Sequence, residues 1–227
     1  MRASTLLAAF AVAGWAVAGW AGAAVAADSP RVKALLEAAE AGDGDAQHAL
    51  ALSYLTGEGV AQDDGKAVRW LARAADAQVA SAEANLGFLY LQGRGVPRDP
   101  DKAAEFLGRA AAKGVGAAQH NLGWMNHMGE GMPRDLDEAA RWYAVAAEGG
   151  FAQSQYNLGI LLGNGEGVRQ NLPEAVKWLS LAALSPRPDI RDQATRRLIE
   201  IWRAAPPAAV EDGLDDARRW LSLRGEW

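Results

Sequence analysis

The residues best suited to acid–base or metal chemistry are three histidines, His48, His120 and His127. His127 follows His120 by seven residues, about two helical turns, so the two share a helix face. With a carboxylate such as Glu130 they would offer zinc three ligands. The rest of such a site is missing from the sequence. There is no HExxH motif and no cysteine, and no nucleophile, base and charge stabiliser converge. A small hydrolase or metal-dependent enzyme therefore stays as the alternative reading, and no catalytic residue, metal or cofactor is assigned.

A second set of polar residues recurs at a fixed interval: Asn85, Asn121 and Asn157, with Ala49 at the earlier place. Asparagine is a poor helix former, so its return at one position needs a reason. Each amide either bonds a neighbouring helix and fixes its stacking, or joins a polar ladder that offers donors and acceptors to a bound chain. One hydrogen bond is worth about 0.5–1.5 kcal/mol net, so three do not bind tightly. Apolar anchors such as Phe88 and Trp124 would supply the remainder, and a micromolar complex is the expectation.

Two further patterns invite a chemical reading and do not support it. The pairs Gly57/Gly59, Gly93/Gly95, Gly129/Gly131 and Gly165/Gly167 contain the GxG of a phosphate loop. No strand precedes them, no Lys-Ser/Thr follows, and the pattern occurs once per repeat, which marks a turn. Trp70, Phe106, Trp142 and Trp178 form an aromatic ladder that would suit a sugar or cofactor. Alanines flank each one at helical spacing, so the ladder reads as a core stripe.

These residues are placed by a repeat. At a period of 36 the chain divides into residues 44–79, 80–115, 116–151 and 152–187 without insertion or deletion, and a fixed period of this size means a solenoid. Each unit reads as helix, glycine turn, helix. In the first helix Leu50, Leu86, Leu122 and Leu158 are each followed by a small residue, Ala51, Gly87, Gly123 or Gly159, which lets two backbones approach. The first glycine of each turn suits a left-handed helix end, and the second lets the chain double back. Asp63, Asp99, Asp135 and Asn171 then cap the second helix, with Glu138 and Glu174 placed as reciprocating acids. Residues 28–43 fit the register of a second helix alone and predict an N-terminal capping helix. Residues 188–227 predict capping helices made from a degenerate last repeat, with a polar outer face. Arg187, Arg191, Arg196, Arg197, Arg203, Arg218 and Arg219 alternate with acids there, as on a solvated helix face; the other reading is a docking patch for an acidic partner.

Leu86-Gly87 and Leu122-Gly123, Tyr54 and Tyr90, the GxGV or GxGM turn, the Asp cap, the aromatic and the Ala-Ala pair together resemble the Sel-one-like repeat (SLR) family, relatives of the tetratricopeptide repeat. Ala51, Asn126, Leu162 and Phe106 depart from its pattern. The resemblance implies an all-α, right-handed superhelical solenoid of antiparallel helix pairs, whose concave side, lined by first helices, binds a protein or peptide. Carried onto this chain, the binding positions are Asn85, Asn121 and Asn157, then His48, Ala84, His120 and Tyr156, then Leu52, Phe88, Trp124 and Ile160. Some cysteine-rich secreted relatives have been described as β-lactamase-like; this chain has no Ser-x-x-Lys, so that activity is not carried over.

Composition sets the remaining expectations. Arg2, the apolar run "LLAAFAVAGWAVAGWAGAAV" and "AVAAD" read as a signal peptide over residues 1–27, with cleavage near Ala26 or Ala27. An uncleaved anchor is the alternative, since about 20 apolar residues span a bilayer. Removal of residues 1–26 shifts the formal net charge from −5 to −6, and an acidic chain argues against nucleic acid as partner. Without cysteine the exported protein holds together by packing alone and carries no lipid on a cysteine. These features predict a periplasmic or secreted protein with no membrane span after signal removal. It would act as a scaffold in the bacterial envelope, or else as a secreted factor that binds a host or extracellular protein.

Overall fold

The computed structural model describes residues 29–225; the expected signal segment and its cleavage site lie outside the described residues. Among the described residues eleven helices follow one another: α1 (Pro30–Glu40), α2 (Gly44–Thr56), α3 (Asp64–Asp76), α4 (Ala80–Gln92), α5 (Pro100–Ala112), α6 (Gly116–Met128), α7 (Leu136–Glu148), α8 (Ala152–Asn164), α9 (Leu172–Ala182), α10 (Pro188–Ala204) and α11 (Pro207–Arg224). None of them is long and apolar enough to cross a membrane. Helices α2 to α9 form four antiparallel pairs, each pair packed on the next. First helices of neighbouring units also touch, α4 with α6 and α8 with α10, whereas second helices α3, α5, α7 and α9 do not come as close to one another. The stack therefore curves with its first helices on the inner side, as an all-α right-handed solenoid.

The small residue after each leucine meets one specific neighbour. A Cβ added at Gly87 would lie 2.8 Å from Leu107 Cγ, at Gly123 2.7 Å from Tyr143 Cδ1, and at Gly159 2.7 Å from Leu179 Cγ. The absent methyl on the first helix thus admits a large side chain of the second, and both are buried. This seam holds each pair together.

The turn glycines do more than reverse the chain. The first of each pair ends its helix in the left-handed region, with Gly93 at φ 66° and its N–H donating to the Leu89 carbonyl. The second seats on the preceding unit. A Cβ on Gly95 would lie 2.5 Å from the Asp64 carbonyl oxygen, and one on Gly131 2.6 Å from Pro100 Cβ. The GxG turn is therefore also an inter-unit joint. The residue between the glycines strengthens it, because Arg94 grips Asp64 through Nε at 2.6 Å and Nη2 at 2.7 Å, a bidentate pairing.

All four caps form, with Asp63, Asp99, Asp135 and Asn171 accepting from Lys66, Lys102, Glu138 and Glu174 backbone N–H groups at 2.8–3.2 Å. The reciprocal half of the capping box does not. Each cap residue's own N–H is already spent on the last turn of the first helix, at the Tyr54, Tyr90, Asn126 and Leu162 carbonyls. Glu138 instead pairs with Arg141, and Glu174 accepts from the Asn171 amide.

The aromatic stripe is core in one unit only. Trp178 is 1% exposed because Trp220 of α11 covers it edge-on, ring centroids 6.4 Å apart. Trp70, Phe106 and Trp142 are half-buried on the outer side, with Arg73 over Trp70 and Arg109 over Phe106. That difference follows from the C-terminal end. α11 makes its main contact with α9 rather than with α10, so the last two helices do not form the degenerate repeat expected from the sequence. Gly213 lets α11 close on Val176 and the Pro173 carbonyl. At the other end α1 takes the place of a preceding second helix: Ser29 N–H donates to the Gly59 carbonyl and Gln47 caps its last turn at Ala39.

Candidate functional site on the inner face

Helices α2, α4, α6 and α8 present the three sets of residues read from the sequence, and the structure treats them unequally. Leu52, Phe88, Trp124 and Ile160 are part-exposed, one per unit. One turn further along the same face lie Thr56, Gln92, Met128 and Asn164, all exposed. His48, Asn85, Tyr156 and Asn157 are half-buried, while Ala84, His120 and Asn121 are buried.

The asparagines divide according to what the preceding unit offers them. Asn85 Nδ2 donates to His48 Nε2 at 2.9 Å, which puts the imidazole proton on Nδ1, 3.3 Å from Ser81 Oγ. This pair is a strut between α2 and α4. The residue standing to Asn121 as His48 stands to Asn85 is Ala84, which has no polar atom to offer. Asn121 is 7% exposed, and its side chain makes no hydrogen bond among the described residues. Asn157 would look to His120, but that ring is engaged elsewhere.

His120 departs most from expectation. It is 4% exposed and gives a partner no surface. Its Nδ1 lies 2.8 Å from Ser154 Oγ, and its ring sits between Tyr143 and Phe151 at centroid distances of 5.6 and 5.1 Å. Small Ser154 on the next helix opens the slot, and the aromatics fill it. Burial drives its pKa down to about 3, with Arg187 adding to the effect. Burial likewise lowers His48 against the opposing field of Asp45, and lowers His127 together with Arg134. All three rings are neutral at pH 7.

The groups weighed for zinc are spent on other contacts. Glu130 pairs with Arg98, His120 is tied to Ser154, and His127 meets Tyr143 edge-on at 6.2 Å. Among the described residues no group of three or more His, Asp or Glu side chains is placed to hold a metal ion. The C-terminal arginines lie beside their own helix's acids: Arg187 with Asp189, Arg191 with Asp192, Arg197 with Glu200, Arg218 with Asp215 and Arg219 with Asp216.

One buried group was not singled out from the sequence. Gln47, Gln119 and Gln155 each donate to the last turn of the preceding second helix, at Ala39, Ala111 and Ala147. In the second unit this place holds Glu83, which is fully buried and cannot donate. Arg109 takes over the bond to the Ala75 carbonyl at 3.3 Å and pairs with Glu83 at 2.7 Å, while Lys113 Nζ lies 2.9 Å from the other carboxylate oxygen. The sequence signal was one acid in a column of glutamines, together with Lys113, a cation at a position where the other units have Ala77, Gly149 and Ser185.

The fold and this face define a helical-repeat solenoid whose inner side is lined by first helices. The Sel1 repeat pattern matches residues 44–79, 80–115, 116–151 and 152–185, and the chain belongs to the Sel1 repeat family. Its structure is similar to that of a Sel1 repeat protein from Oxalobacter formigenes, at 29% identity and a TM-score of 0.71 over 87% of this chain and 80% of that one. It is also similar to c5321, a protective antigen present in uropathogenic Escherichia coli strains that displays an SLR fold. The identity is 27% and the TM-score 0.64, over 85% of this chain but 48% of c5321. No curated protein matches the chain.

Proposed function

We propose that this chain is an exported, non-catalytic scaffold that binds a protein or peptide partner on its inner face, in the bacterial cell envelope. Asn121 carries the reading. Its side-chain amide has no hydrogen-bond partner among the described residues and is not sealed from solvent, and it stands mid-way along the inner face, after Asn85, which is bonded to His48. A bound chain would satisfy it, with Phe88 and Trp124 supplying apolar contact and His48, Tyr156, Asn85 and Asn157 flanking it. His120 drops out of the binding set because of its burial. The apolar N-terminal run supports export, and the likeness to an antigen supports a location beyond the cytoplasm.

The test separates strut from ligand contact. Asn121→Ala should weaken capture of the partner from an envelope extract about fivefold, as a lost bond of about 1 kcal/mol implies, while leaving the melting temperature within about a degree. Asn85→Ala should lower the melting temperature by a few degrees through loss of the His48 strut. If Asn121→Ala destabilises the fold and spares capture, the asparagines serve stacking alone. Fractionation tests the location: the protein should stay in the periplasm, and its appearance in the medium would favour a secreted factor.

A further inference from the structure

The four inner helices carry two charged residues between them, Asp45 and Glu83, and α6 and α8 carry none. Neither projects charge along the face. Asp45 lies in the first turn of α2 at the end of the stack, and Glu83 is fully buried and neutralised from the outer helix by Arg109 and Lys113. The ionisable rings on these helices stay neutral at pH 7 because burial opposes their protonation. Outer helices α3, α5 and α7 carry mixed charges in every unit. A charged partner side chain laid across α2, α4 and α6 would lose its water and meet no counter-charge, whereas beside α8 the α10 residue Arg197 bonds Asn164 and, with Arg196 and Glu200, acts on Tyr156.

We propose that the inner face accepts an uncharged, apolar segment of polypeptide, an inference that rests on this face being the binding surface. The anchors recur once per unit, and α4 and α6, the two of these inner helices in contact, lie about 8–10 Å apart. An extended chain of polyproline II type advances about 3.1 Å per residue and returns a side chain to the same side every third residue. One large apolar residue in three therefore matches Phe88 and Trp124 on that pair, with Leu52 and Ile160 continuing the ladder to either side, while the segment's backbone meets the Asn121 amide. Met128, 52% exposed one turn beyond Trp124, extends the apolar floor.

Random peptides of about twelve residues, enough for four units at about three residues each, are selected by phage display against the full chain. The same library is selected against Met128→Glu, a change at an exposed position. Selected sequences should be depleted in Asp, Glu, Lys and Arg, and should carry a large apolar residue every third position. They should bind with an affinity almost independent of salt and be weakened about tenfold by Met128→Glu. Selection of acidic or basic peptides that Met128→Glu still perturbs would overturn this inference and leave the inner-face reading standing. Peptides indifferent to both Met128→Glu and Asn121→Ala would overturn both. If no peptide is enriched, the inference fails, and size-exclusion chromatography with light scattering then shows whether a second copy covers the face instead.

Discussion

Burial holds the His120 imidazole neutral, with its pKa lowered to about 3 against an unfolded value near 6.5. The unfolded chain therefore binds a proton between these limits that the folded one refuses. Stability is full above about pH 6.5 and falls as pH drops towards 3, by at most about 1.4 kcal/mol per pH unit from this group. His48 and His127 are shifted in the same direction and add to the slope. Thermal denaturation from pH 7 to pH 4 should show the decline, and His120→Gln should be measurably flatter over that range; an unchanged slope would mean the ring is not buried neutral. The sequence placed this residue on the right helix and the wrong side of the surface. Two histidines occupied one repeat position, and nothing in that column said that Ser154 on one neighbouring helix and Tyr143 on another would make a slot for one of them. The asparagines show the same limit: their recurrence was legible, but what each amide meets depends on the preceding unit, where His48, Ala84 and His120 differ.

Helix ends and joints carry the next set of consequences. Gly42, Gly114 and Gly150 close their helices at φ between 84° and 96°, whereas the matching residue after α3 is Gln78 at φ 62°. A side chain in the left-handed region is strained, so Gln78→Gly should stabilise the protein by about 0.5–1 kcal/mol. The melting temperature should rise by about 2–4 °C per kcal/mol, and a fall would show that the Gln78 side chain makes a contact worth more than the strain. At the C-terminal end, Trp220→Ala should uncover Trp178, cost about 2–3 kcal/mol and shift tryptophan emission to the red; no spectral change would argue against α11 lying on α9. Helix positions, turns and caps were legible because each unit repeats them at 36 residues. The return of α11 was not, because "LDDARRWL" echoes the α7 motif "LDEAARWY" and local similarity does not say which neighbour a helix chooses. The second turn glycine was read as a reversal and is also a joint, since one unit's sequence does not show what packs on it from the next.

At the scale of the molecule, charge is sorted by face. The outer helices, the turns and the terminal helices carry the ion pairs, including those that reach in to neutralise Glu83, and α2, α4, α6 and α8 themselves form a nearly uncharged surface with one apolar side chain per unit. An inside-out distribution of this kind gives stability no evident benefit, since Leu50, Leu86, Leu122 and Leu158 already bury the core side of these helices. The binding proposed along this surface would account for it.

The most direct test of that account is photocrosslinking from defined positions. A photoreactive residue is placed at Gln92, exposed on inner helix α4, or at Glu105, exposed on outer helix α5, and each protein is irradiated in an envelope extract. Crosslinks to a discrete protein from position 92 and not from position 105 are the predicted result. Crosslinks from position 105 alone would place the working surface on the outer helices and contradict the account.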